Sequence, residues 1–266
     1  MISVITAAKG RYDITLDCFK SIWDNASNPN NIEHIVMSDD NDKKMNDLLK
    51  DYDDFCYSNK YRFKHILATF DNKVSYAYRN MHKHYWNPMA LDAIGDIIFG
   101  LCNDTIILTK NYDKIMEDAV QENSEEYGHN FFQIFIDDDW PTEEKYKQLG
   151  QDYCSLIILT KPCLSIFNGI APDELSSQGA DMYVAKVFNS TDIKSIIDLQ
   201  HLIKIKQICV QKGNYDKETD FVQTEKPVVD NQRPEWKHFH NLLYSKIYYY
   251  HKLNNKILQK VFLRKK

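Results

Sequence analysis

Residues 95–107 read GDIIFGLCNDTII, an apolar run that ends in the polar triplet Cys102-Asn103-Asp104. The β-branched and aromatic residues before the triplet are typical of a short buried strand. Such a strand delivers a carboxylate at its carboxyl end, where open α/β sheets bind their ligands. Because hard oxygen ligands suit Mg²⁺ and Mn²⁺, Asp104 is a candidate metal ligand. The residues Asn103-Asp104-Thr105 are equally typical of a polar turn that caps the next segment.

Strand-like and helix-like patterns alternate before this stretch. Short β-branched runs predict strands at residues 2–7, 32–37 and 63–68. Apolar residues at helical spacing predict helices at 14–23, around 45–49 and from 75 to about 92. This alternation predicts an α/β, Rossmann-type αβα sandwich with a mainly parallel central sheet. The polar run at 38–42 then lies, like Asp104, where a nucleotide site is expected.

The second half of the chain is less regular. We predict strands at 131–136 and 155–160, the first closed by the acidic run 137–139. Apolar spacing predicts helices at 115–120, 181–188 and 193–202. Residues 213–230 are too polar and irregular to assign.

The composition fits a protein with a buried core. The chain has 266 residues, 43% of them hydrophobic and 27% charged, and a mass of 31.4 kDa. Its formal charge of -5 shows no basic excess, so nucleic acid is not an expected partner. Six cysteines without CxxC spacing favour reduced thiols and a cytoplasmic protein. We expect no secretory signal and no transmembrane helix, since the apolar runs are far shorter than the roughly 20 residues that a span needs.

Basic residues concentrate at the end of the chain. Residues 237–266 contain eight Lys or Arg and no Asp or Glu, which leaves residues 1–236 at 25 minus 38, or -13. Apolar residues recur there every three or four positions, which predicts an amphipathic helical tail with a basic face. Three roles are open for this tail: packing on the rest of the protein, peripheral contact with an anionic membrane, and self-association into a homo-oligomer.

Five segments, at 2–11, 35–42, 78–80, 102–104 and 109–113, read ISVITAAKGR, IVMSDDND, YRN, CND and TKNYD. In this order they resemble glycosyltransferases of the GT-A fold, most closely the inverting family 2-like group. Two departures are clear. The Pro and Tyr-Asn that commonly follow the family's first strand are absent, and Cys102 stands where the first Asp of a DxD metal motif is expected.

The resemblance implies an enzyme that moves a hexosyl or related sugar from a UDP- or GDP-type sugar nucleotide to a hydroxyl of a glycan or lipid-linked acceptor. It implies Mn²⁺ or Mg²⁺ on Asp104, with Arg79 or Lys73 sharing the charge of the diphosphate. It also implies a donor-binding half at 1–120 and an acceptor-side half at 121–233, before the tail at 234–266. The donor-binding residues that it implies are Thr6, Ala8, Arg11, Asp39, Asp40, Arg79 and Asn103.

In the family, the general base is a carboxylate that opens a helix after a Pro-containing loop. Asp181 fits this layout, with Asp173 and Glu174 as substitutes. As an alternative, Asp181 is a helix N-terminal carboxylate that stabilises its helix by about 0.3 to 1 kcal/mol. Asp138 and Trp140 are predicted acceptor contacts, because the Trp140 ring could stack on a sugar, although an acidic run is also typical of a solvated loop.

Two other functions fit parts of the sequence. A catalytically inactive, GT-A-like carbohydrate-binding or scaffold protein would explain Cys102 in place of a carboxylate. A sugar-phosphate nucleotidyltransferase has a similar sheet, but that class requires a Gly-rich phosphate loop. Gly10 is the single glycine in residues 7–11.

Overall fold

A seven-stranded sheet forms the centre of the computed structural model, which describes residues 1–69, 81–139, 154–173, 175, 180–189, 193–208, 239, 241–243 and 245–247. Its strands lie in the order β3-β2-β1-β4-β7-β6-β8, and β5 pairs with β9 in a separate two-stranded sheet. The strands are β1 (Ile2–Ala8), β2 (Ile32–Asp39), β3 (Arg62–Ala68), β4 (Ile97–Gly100), β5 (Thr105–Ile107), β6 (Gln133–Phe135), β7 (Ile158–Thr160), β8 (Ile196–Asp198) and β9 (Ile205–Gln207).

The first four strands of the large sheet are parallel, so their carboxyl ends meet at one edge. In the register of these strands, Ala8 lies opposite Ser38, and Asp39 lies opposite Ala68. On the other side of β1, Ile5 lies opposite Gly100 at the end of β4. The loops after β1, β2 and β4 therefore start side by side. The strand β7 pairs antiparallel with both β4 and β6, and β8 pairs parallel with β6.

Helices cover both faces of the sheet, as the alternation of segments predicts. They are α1 (Tyr12–Asp24), α2 (Lys43–Asn59), α3 (Asn87–Asp92), α4 (Tyr112–Tyr127), α5 (Leu164–Phe167) and α6 (Ala180–Asn189). A single π-helical turn, His82–Trp86, leads into α3. Short 3-10 turns at Pro29–Asn31 and Lys161–Cys163 precede β2 and α5. Among the described residues, no helix is both long and apolar enough to span a membrane.

The alternation of side chains along β1 divides the core into two layers. Val4 packs with Phe19 of α1 and Leu49 of α2 on one face. Ile5 packs with Met89 of α3 and Phe188 of α6 on the other face. This arrangement confirms the predicted αβα sandwich around a mainly parallel sheet.

A hydrogen-bonded network fills the core beneath α1. The buried His34 ring lies 3.2 Å from the Thr6 hydroxyl through Nε2 and 3.1 Å from the Tyr52 hydroxyl through Nδ1. Complete burial lowers the pKa of His34 to about 3, so the ring is neutral at physiological pH.

Four described residues of the basic tail, Phe239, Leu242, Leu243 and Ile247, pack on the domain. Leu243 and Ile247 are fully buried in the same core layer as α5 and α6. The Phe239 ring lies 5.4 Å from the Phe167 ring and 6.1 Å from the Tyr183 ring, measured between centroids. The apolar side of the tail therefore packs on the domain along this described stretch.

The predicted helix at 193–202 is wrong. Residues 196–198 instead form β8, whose Ile196 and Ile197 lie opposite Gln133 and Ile134 of β6. Two adjacent β-branched side chains suit a pleated strand, and pairing with a distant strand overrides the local helical spacing. The small sheet β5-β9 is a further addition to the predicted elements, since it joins segments about a hundred positions apart.

Candidate functional site

The loop after β1 makes a tight left-handed turn that is fixed from two sides. Gly10 and Arg11 adopt φ angles of 59° and 55°. The Arg11 carbonyl accepts a hydrogen bond from the Thr15 hydroxyl at 2.9 Å, in the first turns of α1. From the end of β4, the Asn103 amide donates to the Gly10 carbonyl at 3.3 Å and to the Thr15 hydroxyl at 3.1 Å. Asn103 therefore holds the loop that carries Lys9 and Arg11.

Two ion pairs join this loop to the neighbouring strand ends. Arg11 Nη1 lies 2.9 Å from Asp104 Oδ2, and Lys9 Nζ lies 3.5 Å from Asp39 Oδ2. Both carboxylates are nearly inaccessible, with side-chain exposures of 7% for Asp104 and 3% for Asp39. The Tyr85 hydroxyl also donates to Asp39. Because the carboxylate of each pair is shielded, salt screens these pairs less than it screens pairs of two exposed groups.

Three charged residues of the candidate site, Asp104, Asp181 and Arg11, affect the pKa of the Cys102 thiol. Burial raises the pKa of its thiol to about 12. The negative charges of Asp104 and Asp181 raise this pKa further, and the positive charge of Arg11 lowers it. The charge of Asp181, predicted as the base, therefore acts on the same thiol as the charges of the Arg11–Asp104 pair.

Asp181 lies in the first turn of α6 and is only partly accessible. Its Oδ1 accepts a hydrogen bond from the Met182 amide at 2.9 Å. Burial raises the pKa of its carboxyl to about 7, and the nearby charge of Asp138 adds to this rise. A carboxyl with a pKa near neutrality can accept a proton at physiological pH and release it later, which is what a general base requires.

Asp138 lies in the acidic run after β6. Its Oδ2 accepts a hydrogen bond from the Ser155 amide at 2.5 Å, which ties the acidic run to the segment before β7. The charge of Asp138 raises the pKa of Asp181, so the predicted acceptor residue acts electrostatically on the predicted base.

The other predicted donor residues occupy different positions. The side chain of Thr6 is buried in the core and contacts His34. Ala8 is buried at the last position of β1, and Asn103 acts on the loop after that strand. Asp40 is exposed beside the buried Asp39, so Asp40 is the more accessible of the two candidates for contact with a nucleoside.

Asp173, the predicted substitute for Asp181, is held by a neighbouring element. The Asn87 amide at the start of α3 donates to Asp173 Oδ1 at 2.8 Å. The remaining predicted site residues, Lys73, Arg79, Trp140 and Glu174, lie outside the described residues.

Sequence reasoning missed two partners of Asp39. Lys9 stands inside the quoted loop, but nothing in its spacing indicates which carboxylate it meets. Tyr85 belongs to the π-helical turn, about 46 positions from Asp39, and carries no motif. The one feature of the sequence that indicates a partner for Asp39 is that Lys9 is a basic residue in the same loop as Arg11.

The residues at the strand ends do not fit a divalent cation held by the chain alone. Hard cations prefer several oxygen ligands, but Cys102 supplies sulfur and the Asn103 amide group faces the preceding loop. Asp104, the remaining carboxylate, pairs with Arg11. Within the described ranges, no three His, Cys, Asp or Glu side chains converge on one point. The prediction of Mn²⁺ or Mg²⁺ therefore has no ligand set in this part of the chain.

Comparison with known proteins identifies the fold. No family model matches the sequence, and no curated protein matches it. Among solved structures, S. aureus TarS 1-349 is similar with a TM-score of 0.57 and 15% identity, over 90% of this chain and 68% of that one. The same fragment in complex with UDP-GlcNAc has a TM-score of 0.55 at 14% identity, over 94% and 72% of the two chains.

A third similar structure is a mannosyltransferase from Pyrobaculum calidifontis in complex with GDP-Man and Mn²⁺. It has a TM-score of 0.58 at 10% identity, over 80% of this chain and 58% of that one. At these identities the likeness establishes the fold, and the predicted GT-A-like fold class is confirmed.

Proposed function

We propose that this chain is a glycosyltransferase that uses a nucleoside-diphosphate sugar, of the UDP or GDP type, and a hydroxyl of a glycan or lipid-linked acceptor. The observation that carries the proposal is the shielded Arg11–Asp104 ion pair at the carboxyl ends of the parallel strands, with the charge of Asp181 acting on the neighbouring Cys102 thiol. That edge is where α/β sheets bind nucleotides. Similar structures in complexes with UDP-GlcNAc and GDP-Man support the choice of donor.

The proposed reaction is a single in-line displacement that inverts the anomeric carbon. The Asp181 carboxylate takes the proton of the acceptor hydroxyl, and the acceptor oxygen forms a bond to the anomeric carbon. The bond from that carbon to the diphosphate oxygen breaks, and its electron pair leaves with the nucleoside diphosphate. Asp138 and Trp140 are proposed to position the acceptor, while Asp39 and Asp40 are proposed to lie near the nucleoside.

Release of nucleoside diphosphate tests this function. The purified chain is incubated with UDP-glucose, UDP-GlcNAc and GDP-mannose, each with and without MnCl₂, and the released UDP or GDP is quantified. We expect release from at least one donor and a fall of about 10² to 10⁴-fold in Asp181→Asn. Asp54→Asn is the matched control, because Asp54 is exposed near the far end of α2. Equal rates in Asp181→Asn and the native chain would contradict the assignment of the base.

A binding protein without turnover is the second candidate, and Cys102 in place of a carboxylate favours it. Such a protein would bind a sugar nucleotide or a glycan and release no nucleoside diphosphate with any acceptor. Calorimetric binding of a donor together with zero release over long incubation would select this function. Absence of both binding and release would exclude both candidates for the donors tested.

A further inference from the structure

The guanidinium of Arg11 occupies the position at which a DxD-like site would be expected to hold a cation. Its Nη1 lies 2.9 Å from Asp104 Oδ2, and the two side chains are 22% and 7% exposed. An arginine in this position supplies a permanent positive charge, since guanidinium does not deprotonate in proteins. Asp104 is therefore paired with a cationic side chain of the protein, Arg11.

The backbone around Arg11 is built to hold this side chain in place. Arg11 is a non-glycine residue with φ 55°, a conformation that persists only where the surroundings enforce it. The Thr15 hydroxyl fixes its carbonyl, and the Asn103 amide fixes the preceding Gly10 carbonyl. Asn103 is the residue between Cys102 and Asp104, so the same triplet both pairs with Arg11 and positions its loop. The Arg11 guanidinium is thus held in place before any ligand binds.

The chemistry of the triplet points the same way. A divalent cation at this edge would need oxygen ligands, and the first position of the triplet is the sulfur of Cys102. A guanidinium needs no ligand set. Its planar fork of five N–H donors matches phosphate oxygens and can contact a carboxylate at the same time.

We infer that Arg11, held by Asp104, binds the diphosphate of the donor and replaces the divalent cation in this chain. The inference rests on the proposed glycosyltransferase function, because it concerns the leaving group of that reaction. In the displacement, the negative charge that collects on the departing diphosphate is stabilised by the Arg11 guanidinium. Asp104 acts as the positioning residue for Arg11.

Nucleotide binding measured by calorimetry tests the inference without requiring turnover. The probes are UDP, GDP and uridine, each titrated in EDTA and in excess MnCl₂. The variants are Arg11→Gln and Arg11→Lys, which remove the charge and the planar fork respectively. Arg62→Gln is the matched control, since Arg62 begins β3 at the opposite edge of the sheet. Melting temperatures establish that each variant is folded.

We expect the native chain to bind UDP or GDP in EDTA within about threefold of its affinity in MnCl₂. Arg11→Gln should weaken diphosphate binding at least about tenfold while uridine binding changes little, because uridine has no phosphate. Arg11→Lys should lie between these limits, and Arg62→Gln should match the native chain. If Arg11→Gln does not fold, the loss of UDP affinity relative to uridine in Arg11→Lys decides the question.

The outcomes separate this inference from the proposed function. Binding that requires MnCl₂, or that is unchanged in both Arg11 variants, overturns the inference and leaves the glycosyltransferase function standing. Binding of no nucleotide in either buffer overturns both.

Discussion

At Asp181, the burial that suits the carboxyl for proton transfer also lowers the stability of the folded chain at neutral pH. Burial raises its pKa to about 7 from a usual value of 3.8. The folded state therefore holds the proton more tightly than the unfolded chain does. The stability that the protonated Asp181 carboxyl contributes to the folded state is fully present below pH 3.8 and is lost as the pH rises through about 7. Above pH 7 the charged, partly buried carboxylate destabilises the fold.

Asp181→Asn should consequently slow turnover by about 10² to 10⁴-fold and increase stability at the same time. Three pKa units correspond to at most about 4 kcal/mol, so we expect the variant to gain up to that amount at pH 8 and much less at pH 4. The Asn side chain keeps the oxygen that accepts from Met182. Urea unfolding of both proteins at the two pH values measures the difference, with Asp54→Asn as control.

The sign of this change separates the two interpretations of Asp181. A carboxylate that merely stabilises a helix N-terminus would contribute about 0.3 to 1 kcal/mol, and its removal would lower stability at pH 8. If Asp181 is the base of the proposed reaction, the rate of sugar transfer by the native chain should rise about tenfold per pH unit below pH 7 and level off above it, because the base must be deprotonated. A rate that is flat from pH 5 to pH 8 would assign the proton to another group.

The site could be predicted from the sequence as a set of residues but not as a set of pairs. Asp104 is a candidate because it follows a predicted strand, whereas Arg11 and Asp181 are candidates through the resemblance to the GT-A group. Arg11 pairs with Asp104, and Lys9 pairs with Asp39. This pairing depends on the left-handed backbone conformation of Gly10 and Arg11. A left-handed conformation cannot be predicted from the sequence when the residue is an arginine, because arginine does not mark such a turn as glycine does.

At the scale of elements, Asn87 connects the start of α3 to the segment that follows α5. Its Nδ2 donates to the Ala171 carbonyl and to Asp173 Oδ1, both at 2.8 Å, and its Oδ1 accepts from the Ile170 amide at 2.9 Å. Gly169, at φ 154°, packs so closely that an added Cβ would lie 2.2 Å from Asn87 Cγ. One buried amide thus fixes the chain on its way towards α6.

Replacing Asn87 should loosen this segment. Asn87→Ala leaves buried backbone groups of Ile170 and Ala171 without their partner, which typically costs about 1 to 3 kcal/mol for each group. We expect a loss of about 2 to 4 kcal/mol in the free energy of unfolding and faster hydrogen exchange at the Ile170 amide. Asn59→Ala is the control, since that exposed amide donates only to the carbonyl of Phe55 within its own helix. Equal losses in the two variants would show that Asn87 does not anchor the segment.

Strands that carry their own apolar run were predictable, and the strands β8 and β9 were not. The predicted strands at 2–7, 32–37 and 63–68 differ from β1, β2 and β3 by two residues or fewer at each end. Each of these strands carries its own apolar run, and the helices between them complete local βαβ units. In contrast, β8 and β9 are three residues long and depend on β6 and β5 for pairing. A short segment stabilised by a distant strand has too few residues to show a period.

For the whole molecule, the packing of the tail decides how much of its apolar side is available to other partners. Leu243 is fully buried with α5 and α6, whereas Leu108 is 46% exposed after β5. Removing a buried leucine side chain costs about 2 to 5 kcal/mol, and a surface substitution costs within about 0.5 kcal/mol. We expect Leu243→Ala to lower the free energy of unfolding by the larger amount and Leu108→Ala by the smaller, measured by urea denaturation.

This result would leave membrane contact to the basic residues alone, so that sedimentation with anionic vesicles would be lost at high salt. Equal costs for the two leucines would mean that the apolar side of the tail is not held by the domain, and membrane insertion and self-association would then be the predictions to pursue.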